Sequence, residues 1–287
     1  MSDPTTMSQG ELGDAAVPEL YRSGRAKRNR AKRNRIITYG ISIVLVVAVI
    51  SAGDWSTIQQ KYFDLDEMRA AFPDIVTIGV RNTIIYTIGA FVGGVAIGVI
   101  MAFLKLTPLR PYRWFATTYI EIFRGLPALL TIFLVGYLTP TALGVQFPIV
   151  FGVDSAGIIA LSLVAGAYLA ETLRAGIEGV PKGQVEAARS LGMSQGATLK
   201  TIVMPQAFRL VIPPLTNELV LLLKDTSLLV VLGTTTTTVE LTQFGRNSFN
   251  ESFNGSVLIL AGIMYLVITI PMTQLVAHLE RRNKARR

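Results

Sequence analysis

The sequence contains no cysteine and a single histidine, His278, among its 287 residues. Disulfide frameworks, thiolate nucleophiles and cysteine metal sites are excluded, and one histidine leaves no metal cluster or triad built on that residue. Charge is scarce as well: 16% of residues are Asp, Glu, Lys or Arg, against about 25% in soluble chains. His-x-x-x-His is missing, as is the Gly-x-x-x-x-Gly-Lys-[Ser/Thr] loop that cradles nucleotide phosphates. No catalytic residue, metal site or nucleotide site is therefore expected in this chain.

What is present is apolar. Hydrophobic residues make up 51% of the sequence, with mean hydropathy +0.47. Six runs, at 36–53, 75–104, 114–138, 157–175, 208–232 and 256–278, approach or exceed the ~20 residues that cross a bilayer. They predict an all-α, polytopic membrane protein with about six transmembrane helices. The first run starts late, lacks a small-residue cleavage site and is followed by Asp54-Trp55, so it reads as an uncleaved helix with an interfacial tryptophan. The second carries Gly89-x-x-x-Gly93 and Gly94-x-x-x-Gly98, a spacing that lets helix backbones approach closely.

The net charge of +8 suggests either nucleic acid or the cytoplasmic loops of a membrane protein. Its distribution decides. Residues 22–35 hold eight Lys/Arg, 105–113 three, 174–209 five and 281–287 five, whereas 54–74 hold two, 139–156 none and 233–255 one. The positive-inside rule puts both termini and the 105–113 and 176–207 loops in the cytoplasm. The tandem Arg-Ala-Lys-Arg-Asn at 25–29 and 30–34 then reads as an orientation stop touching anionic lipid, and no nucleic-acid partner is expected.

The 179–207 loop is compact and partly apolar. Pro181 suits a helix start. Val185, Ala188 and Leu191 recur at three-residue spacing, and Gly192 can end that helix in a left-handed turn. Ser194 can cap a second short helix near 195–204, which Pro205 then follows. Two short helices with an elbow at Gly192 suit a docking element, with Ala187 and Ala188 allowing close approach, or an amphipathic segment resting on lipid.

Charges inside the runs need partners or a water path. Glu121 and Arg124, and likewise Glu171 and Arg174, are spaced to pair along a helix, as structural pairs or as a gate. The fifth run is denser in polar groups, with Asn217, Glu218, Lys224, Asp225, Thr226 and Ser227. With a helix starting near Phe208, Asn217 stands about 14 Å and Lys224 about 24 Å along it. These residues could line a path, Lys224 meeting a carboxylate and Glu218 an ammonium, or could hold the bundle together. Pro213-Pro214 requires a kink or a fresh helix start, and a broken helix is tolerated where it lines a cavity. The external 233–255 segment contains five successive threonines, Thr234 to Thr238, which are β-prone rather than helical, or form a capped short helix.

Glu186-Ala187-Ala188 with Gly192, followed by Ile202-Val-Met-Pro205, resembles the EAA loop of ATP-binding-cassette importer permeases. The wider text is more specific. It includes Glu121-Ile-Phe-Arg124-Gly-Leu-Pro127, Tyr168-Leu-Ala-Glu171-Thr-Leu-Arg174-Ala-Gly176, Val180-Pro-Lys-Gly-Gln, Pro205-Gln-Ala-Phe-Arg209, Pro213-Pro-Leu-Thr-Asn217 and Lys224-Asp-Thr-Ser-Leu228. Over residues 75–282 the chain is similar to the polar amino acid permease family, whose members import histidine, arginine, glutamine or glutamate. The resemblance implies a five-helix type I importer core at 75–282, here preceded by a basic tail at 1–35 and an extra helix at 36–53 and followed by a basic tail at 283–287. It implies an ATPase-coupling loop carried by Lys182, Gly183, Glu186, Ala187, Ala188, Gly192 and Pro205. Implied partners are two cytoplasmic ATPase subunits, a second permease subunit (identical or related), an extracytoplasmic substrate-binding protein, the amino acid and the bilayer of the bacterial inner membrane. This chain would bind no cofactor; ATP and magnesium belong to the ATPases. The overall resemblance leans to a glutamate or glutamine type of substrate. Gly196 and Leu199 stand where the family often has bulkier or aromatic residues. The alternative, a stand-alone secondary amino acid transporter, would want an internal repeat, and none is found.

Overall fold

The computed structural model describes residues 32, 34–48, 50–233 and 235–284. Most of the basic repeat, Thr234 and the last three residues of the basic tail lie outside them. The chain divides into two units, residues 1–58 and 59–287. The first contains helix α1, Asn34–Ala52, which buries none of its side chains among those described. After it, Asp54 caps helix α2, Trp55–Tyr62, and the indole of Trp55 donates to the Ile50 carbonyl. Hydrogen bonds from Ser56 and Thr57 hold the Asp54 carboxyl down at about 2.

The second unit is a helical bundle. Helix α3, Leu65–Asp74, is capped by Asp64 and passes through a wide turn at Ile75–Val80 into α4, Arg81–Leu106. Helices α5, Arg110–Gly125, and α6, Ala128–Phe133, are followed by a wide turn at Leu134–Leu138 and the short helix α7, Thr139–Leu143. A two-residue hairpin, β1 Ile149–Val150 against β2 Val153–Asp154, turns through Phe151 and Gly152 at positive φ. Then come α8, Ser155–Glu178; α9, Lys182–Ser190; α10, Gln195–Thr198; α11, Met204–Asp225; α12, Leu241–Ser252; and α13, Ser256–Lys284.

Helix α4 packs along α8, and small residues set the distance. A Cβ on Gly94 would lie 2.8 Å from that of Ala165, and one on Gly98 would lie 2.9 Å from that of Leu169. The glycine spacing therefore marks a close helix crossing, as expected. Tyr86 and Ala90 of α4, Leu161, Ala165 and Leu169 of α8, and Leu222 of α11 share the main core.

Among the described residues, four segments contain helices long and apolar enough to cross a membrane: Asn34–Ala52, Trp55–Leu106, Ser155–Glu178 and Ser256–Arg282. The 114–138 run is not one straight helix. The segments Arg110–Gly125 and Ala128–Leu143 meet at 107°, because a residue before proline avoids the helical region and Leu126, before Pro127, is extended at ψ 139°. The 208–232 run also departs from expectation. Its helix starts earlier, at Met204, runs unbroken through Pro213 and Pro214, and tightens into a 3-10 turn at Thr226–Leu232. It carries Arg209, Glu218, Lys224 and Asp225.

Candidate functional site

The 179–207 segment is built as a stiff hairpin. Pro181 is the N-cap of α9, and Gly192 turns the chain at φ +84°, where a glycine has no Cβ penalty. The amide of Met193 donates to Ala188 O at 3.2 Å and Ser194 Oγ accepts from Ala197 N at 3.2 Å. Val180, Val203 and Ala207 form a small core joined by Val185, so α9 lies against the start of α11. The side chains of Gln184 and Gln206 bond across the same seam.

Two expectations for this loop are corrected. The second helix does not stop before Pro205. A wide turn at Leu199–Val203 leads straight into α11, whose first turn accommodates Pro205, since proline at a helix start removes a donor that has no partner there. Nor does Leu191 share the packed face of Val185 and Ala188: it is 84% exposed. A three-residue spacing falls 60° short of a full turn at each step, so by the third residue the face has been left. Lys182, Gly183, Glu186, Ala187, Leu191 and Gly192 belong to the exposed surface of the loop, while Ala188 is buried.

The charges at the loop's root form a network. Glu171 on α8 accepts from Arg174 at 2.8 Å and from Lys105 at the end of α4 at 2.6 Å, and Arg174 also reaches Glu178. The Glu171–Arg174 pair is legible from spacing, whereas Lys105 reads in the sequence only as a loop charge. The Glu121–Arg124 pair does not form. Arg124 instead lies over the ring of Tyr168, 5.5 Å from its centroid, and Glu121 is exposed, as befits a guanidinium offered an aromatic face.

On α11, Pro214, Asn217, Leu221 and Lys224 form one exposed stripe, with Glu218 and Asp225 half-buried beside it. Asn217 and Lys224 are thus brought to a common face. With the helix beginning at Met204, both lie about 6 Å further from its start than the sequence suggested. Thr226 does not belong to this face. It is fully buried, its hydroxyl donating to Leu223 O at 2.7 Å and lying 3.3 Å from that of Tyr265. Ser227 is half-buried and bonds back to Lys224 O.

Sequence reasoning missed a polar junction at the far end of α11. Glu240, 1% exposed, is the N-cap of α12 and accepts from Thr242 N at 2.6 Å, Gln243 N at 2.7 Å and the Tyr265 hydroxyl of α13 at 2.8 Å. No ion pair reaches it among the described residues. Burial raises its carboxyl above the ordinary value, against the opposing effect of those hydrogen bonds. Beside it, Asn82 of α4 donates to the carbonyls of Thr237 and Val239, Tyr86 donates to that of Thr238, and Thr83 accepts from Leu241 N. The described part of the threonine run is therefore a turn, neither strand nor helix, tied down to α4.

Comparison with known proteins bears on the whole arrangement. Residues 94–285 match the family described as binding-protein-dependent transport system inner membrane component. The arginine transport system permease protein ArtQ of Bacillus subtilis (strain 168) is 32% identical over 221 residues, 76% of this chain and 98% of ArtQ. The glutamate/aspartate import permease protein GltK of Escherichia coli O6:H1 (strain CFT073) is 31% identical over 229 residues, 77% of this chain and 98% of GltK. A crystal structure of an amino acid ABC transporter with histidines superposes with a TM-score of 0.69 at 30% identity, covering 76% of this chain and 98% of the other. This chain therefore belongs to the binding-protein-dependent transport system inner membrane components, the multi-pass permease subunits of ATP-binding-cassette importers, and is not itself an ATPase.

Proposed function

We propose that the chain forms the translocation pathway of an ATP-driven importer for a polar amino acid. The observation that carries this reading is the stiff, solvent-facing hairpin at 179–207, continuous at both ends with the long helices α8 and α11. A flexible loop would absorb movement; this one transmits it. Two cytoplasmic ATPase subunits, which use ATP and magnesium, dock on Lys182, Gly183, Glu186, Ala187, Leu191 and Gly192. Pro205 carries the motion into α11. The basic-residue distribution supports cytoplasmic termini in the inner membrane and a cytoplasmic hairpin. A second permease subunit, identical or related, faces the first, and an extracytoplasmic binding protein delivers the substrate.

The stripe of Asn217, Leu221 and Lys224 is the pathway face of this proposal. An α-amino acid needs a cation for its carboxylate and an acceptor for its ammonium. ArtQ and GltK are named for substrates of opposite charge, so kinship leaves the side-chain preference open. Lys224 stands exposed while Glu218 and Asp225 are half-buried, which favours glutamate or its amide. Uptake of labelled L-glutamate, L-glutamine and L-arginine by the assembled system tests this. Lys224→Ala is expected to reduce glutamate uptake about tenfold, the effect of losing one charge-assisted hydrogen bond of about 1.4 kcal/mol. Uptake that persists without the ATPase subunits would refute the importer reading, and preferred uptake of arginine would refute the substrate assignment.

A further inference from the structure

The far end of α11 ends in a hydrogen-bonded junction of three helices, and its parts are unusual for their positions. Helix N-caps favour Ser, Thr, Asp or Asn, whose short side chains reach the first amides. Here the cap is Glu240, longer by a methylene than aspartate, buried, and with no ion pair among the described residues. The added length lets the same carboxylate that closes α12 also accept from Tyr265 on α13. With its own hydrogen given to Glu240, the Tyr265 oxygen accepts from Thr242 Oγ1 at 3.4 Å and from Thr226 Oγ1 at 3.3 Å, whose one hydrogen is shared between Tyr265 and Leu223 O. Thr226 is the residue at which α11 passes into its 3-10 turn, two residues after Lys224. The hydroxyl of Tyr265 thus touches both the cap of α12 and the residue at which α11 ends.

We infer that Tyr265 is a positioning residue for transport: its hydroxyl, held by Glu240, ties the outer end of α11 to α12, so that the pathway face and the external segment move as one piece. Next to the junction, apolar packing of Ile75, Leu241, Val257 and Leu260 joins α12 and α13 to the 75–80 turn. A buried polar junction adds geometric definition, because each misaligned group would lose its partner in a medium that offers no substitute. The same polar layer continues through Thr83 and Asn82 to α4, which anchors the external segment on the opposite side. Tyr265 is then the contact on which α11 depends, while α4 holds the rest.

This inference rests on the importer reading, and its test separates the two. The complete transporter, with its ATPases and binding protein, is reconstituted in liposomes, and ATP hydrolysed per molecule of labelled L-glutamate, L-glutamine or L-arginine taken up is measured. Tyr265→Phe removes one hydroxyl; Thr226→Val removes the α11 side of the contact at nearly constant volume. Thr226→Val is expected to raise the ratio about fivefold, the equilibrium factor of one net hydrogen bond, and Tyr265→Phe, which also strips Glu240 and Thr242 of their partner, by at least as much. The double variant is expected to match Tyr265→Phe alone, because the contact to Thr226 is already lost with the hydroxyl. Hydrolysis and uptake falling in proportion, with an unchanged ratio, would mean fewer working complexes and a purely structural junction, which would overturn the inference. Multiplying effects in the double variant would overturn it as well. Wild-type uptake that needs no ATPase would refute the importer reading instead.

Discussion

Glu240 shows what a single buried group demands of its surroundings. Its carboxylate accepts from two backbone amides and one phenol, which offsets part of the cost of removing a charge from water. Burial nevertheless leaves its carboxyl above the ordinary 4.5. A carboxyl raised in this way binds more protons folded than unfolded, so its contribution to stability is retained below the unfolded value and lost as pH rises through the folded one. Melting temperatures of the detergent-solubilised protein should therefore fall above about pH 4.5, and Glu240→Gln should flatten that slope. A wild-type curve no steeper than the variant's would contradict the assignment of this burial cost. None of this was legible in the sequence, because the partners of the cap region lie 25 residues away at Tyr265 and 158 residues away at Thr83. Asn217 and Lys224 share a face because seven residues along one helix return to it. Thr226 was misread for the complementary reason: the turn tightens at that residue and carries its side chain inward.

Among the elements, the α4–α8 pair and the hairpin were the most readable. Four-residue glycine spacing has one physical use in an apolar helix, close approach, and Gly94 and Gly98 serve it against Ala165 and Leu169. Gly98→Val is expected to cost about 1–3 kcal/mol by overpacking and to lower the yield of folded protein in membranes, as read by size-exclusion profiles. An unchanged profile would show that the two helices can part without penalty. The hairpin was legible because its signals are local: Pro181 opens it, Gly192 turns it and Ser194 caps α10. The bend between α5 and α6 was not anticipated, although Pro127 lay in view. Hydropathy averages over a window and is blind to a single extended residue such as Leu126. The pair of prolines in α11 does not begin a fresh helix, since a helix packed on its neighbours can continue through lost donors that would break it in isolation.

On the scale of the whole molecule, the two ends of α11 have different tasks. One end continues the hairpin at Met204, and the other meets the Glu240–Tyr265 junction at Thr226. Between them lie the exposed polar stripe and, on α8 and α4, the ion-pair network of Lys105, Glu171 and Arg174 at the hairpin's root. In the proposed importer a push on the hairpin is delivered to α11, which carries the proposed pathway groups and meets the Tyr265 junction at its far end. The central claim is that this hairpin is where the ATPase docks. The most direct measurement is affinity purification of the tagged chain from native membranes with mass spectrometry, beside a variant carrying Glu186→Lys and Gly192→Asp. Glu186 is exposed, and Gly192 sits at φ +84° with open space around it, so the first change alters the docking surface and the second strains the elbow. Recovery of an ATPase subunit with the wild type and its loss with the variant, at equal membrane yield, is the predicted result. Equal recovery with both, or recovery with neither, would contradict the account.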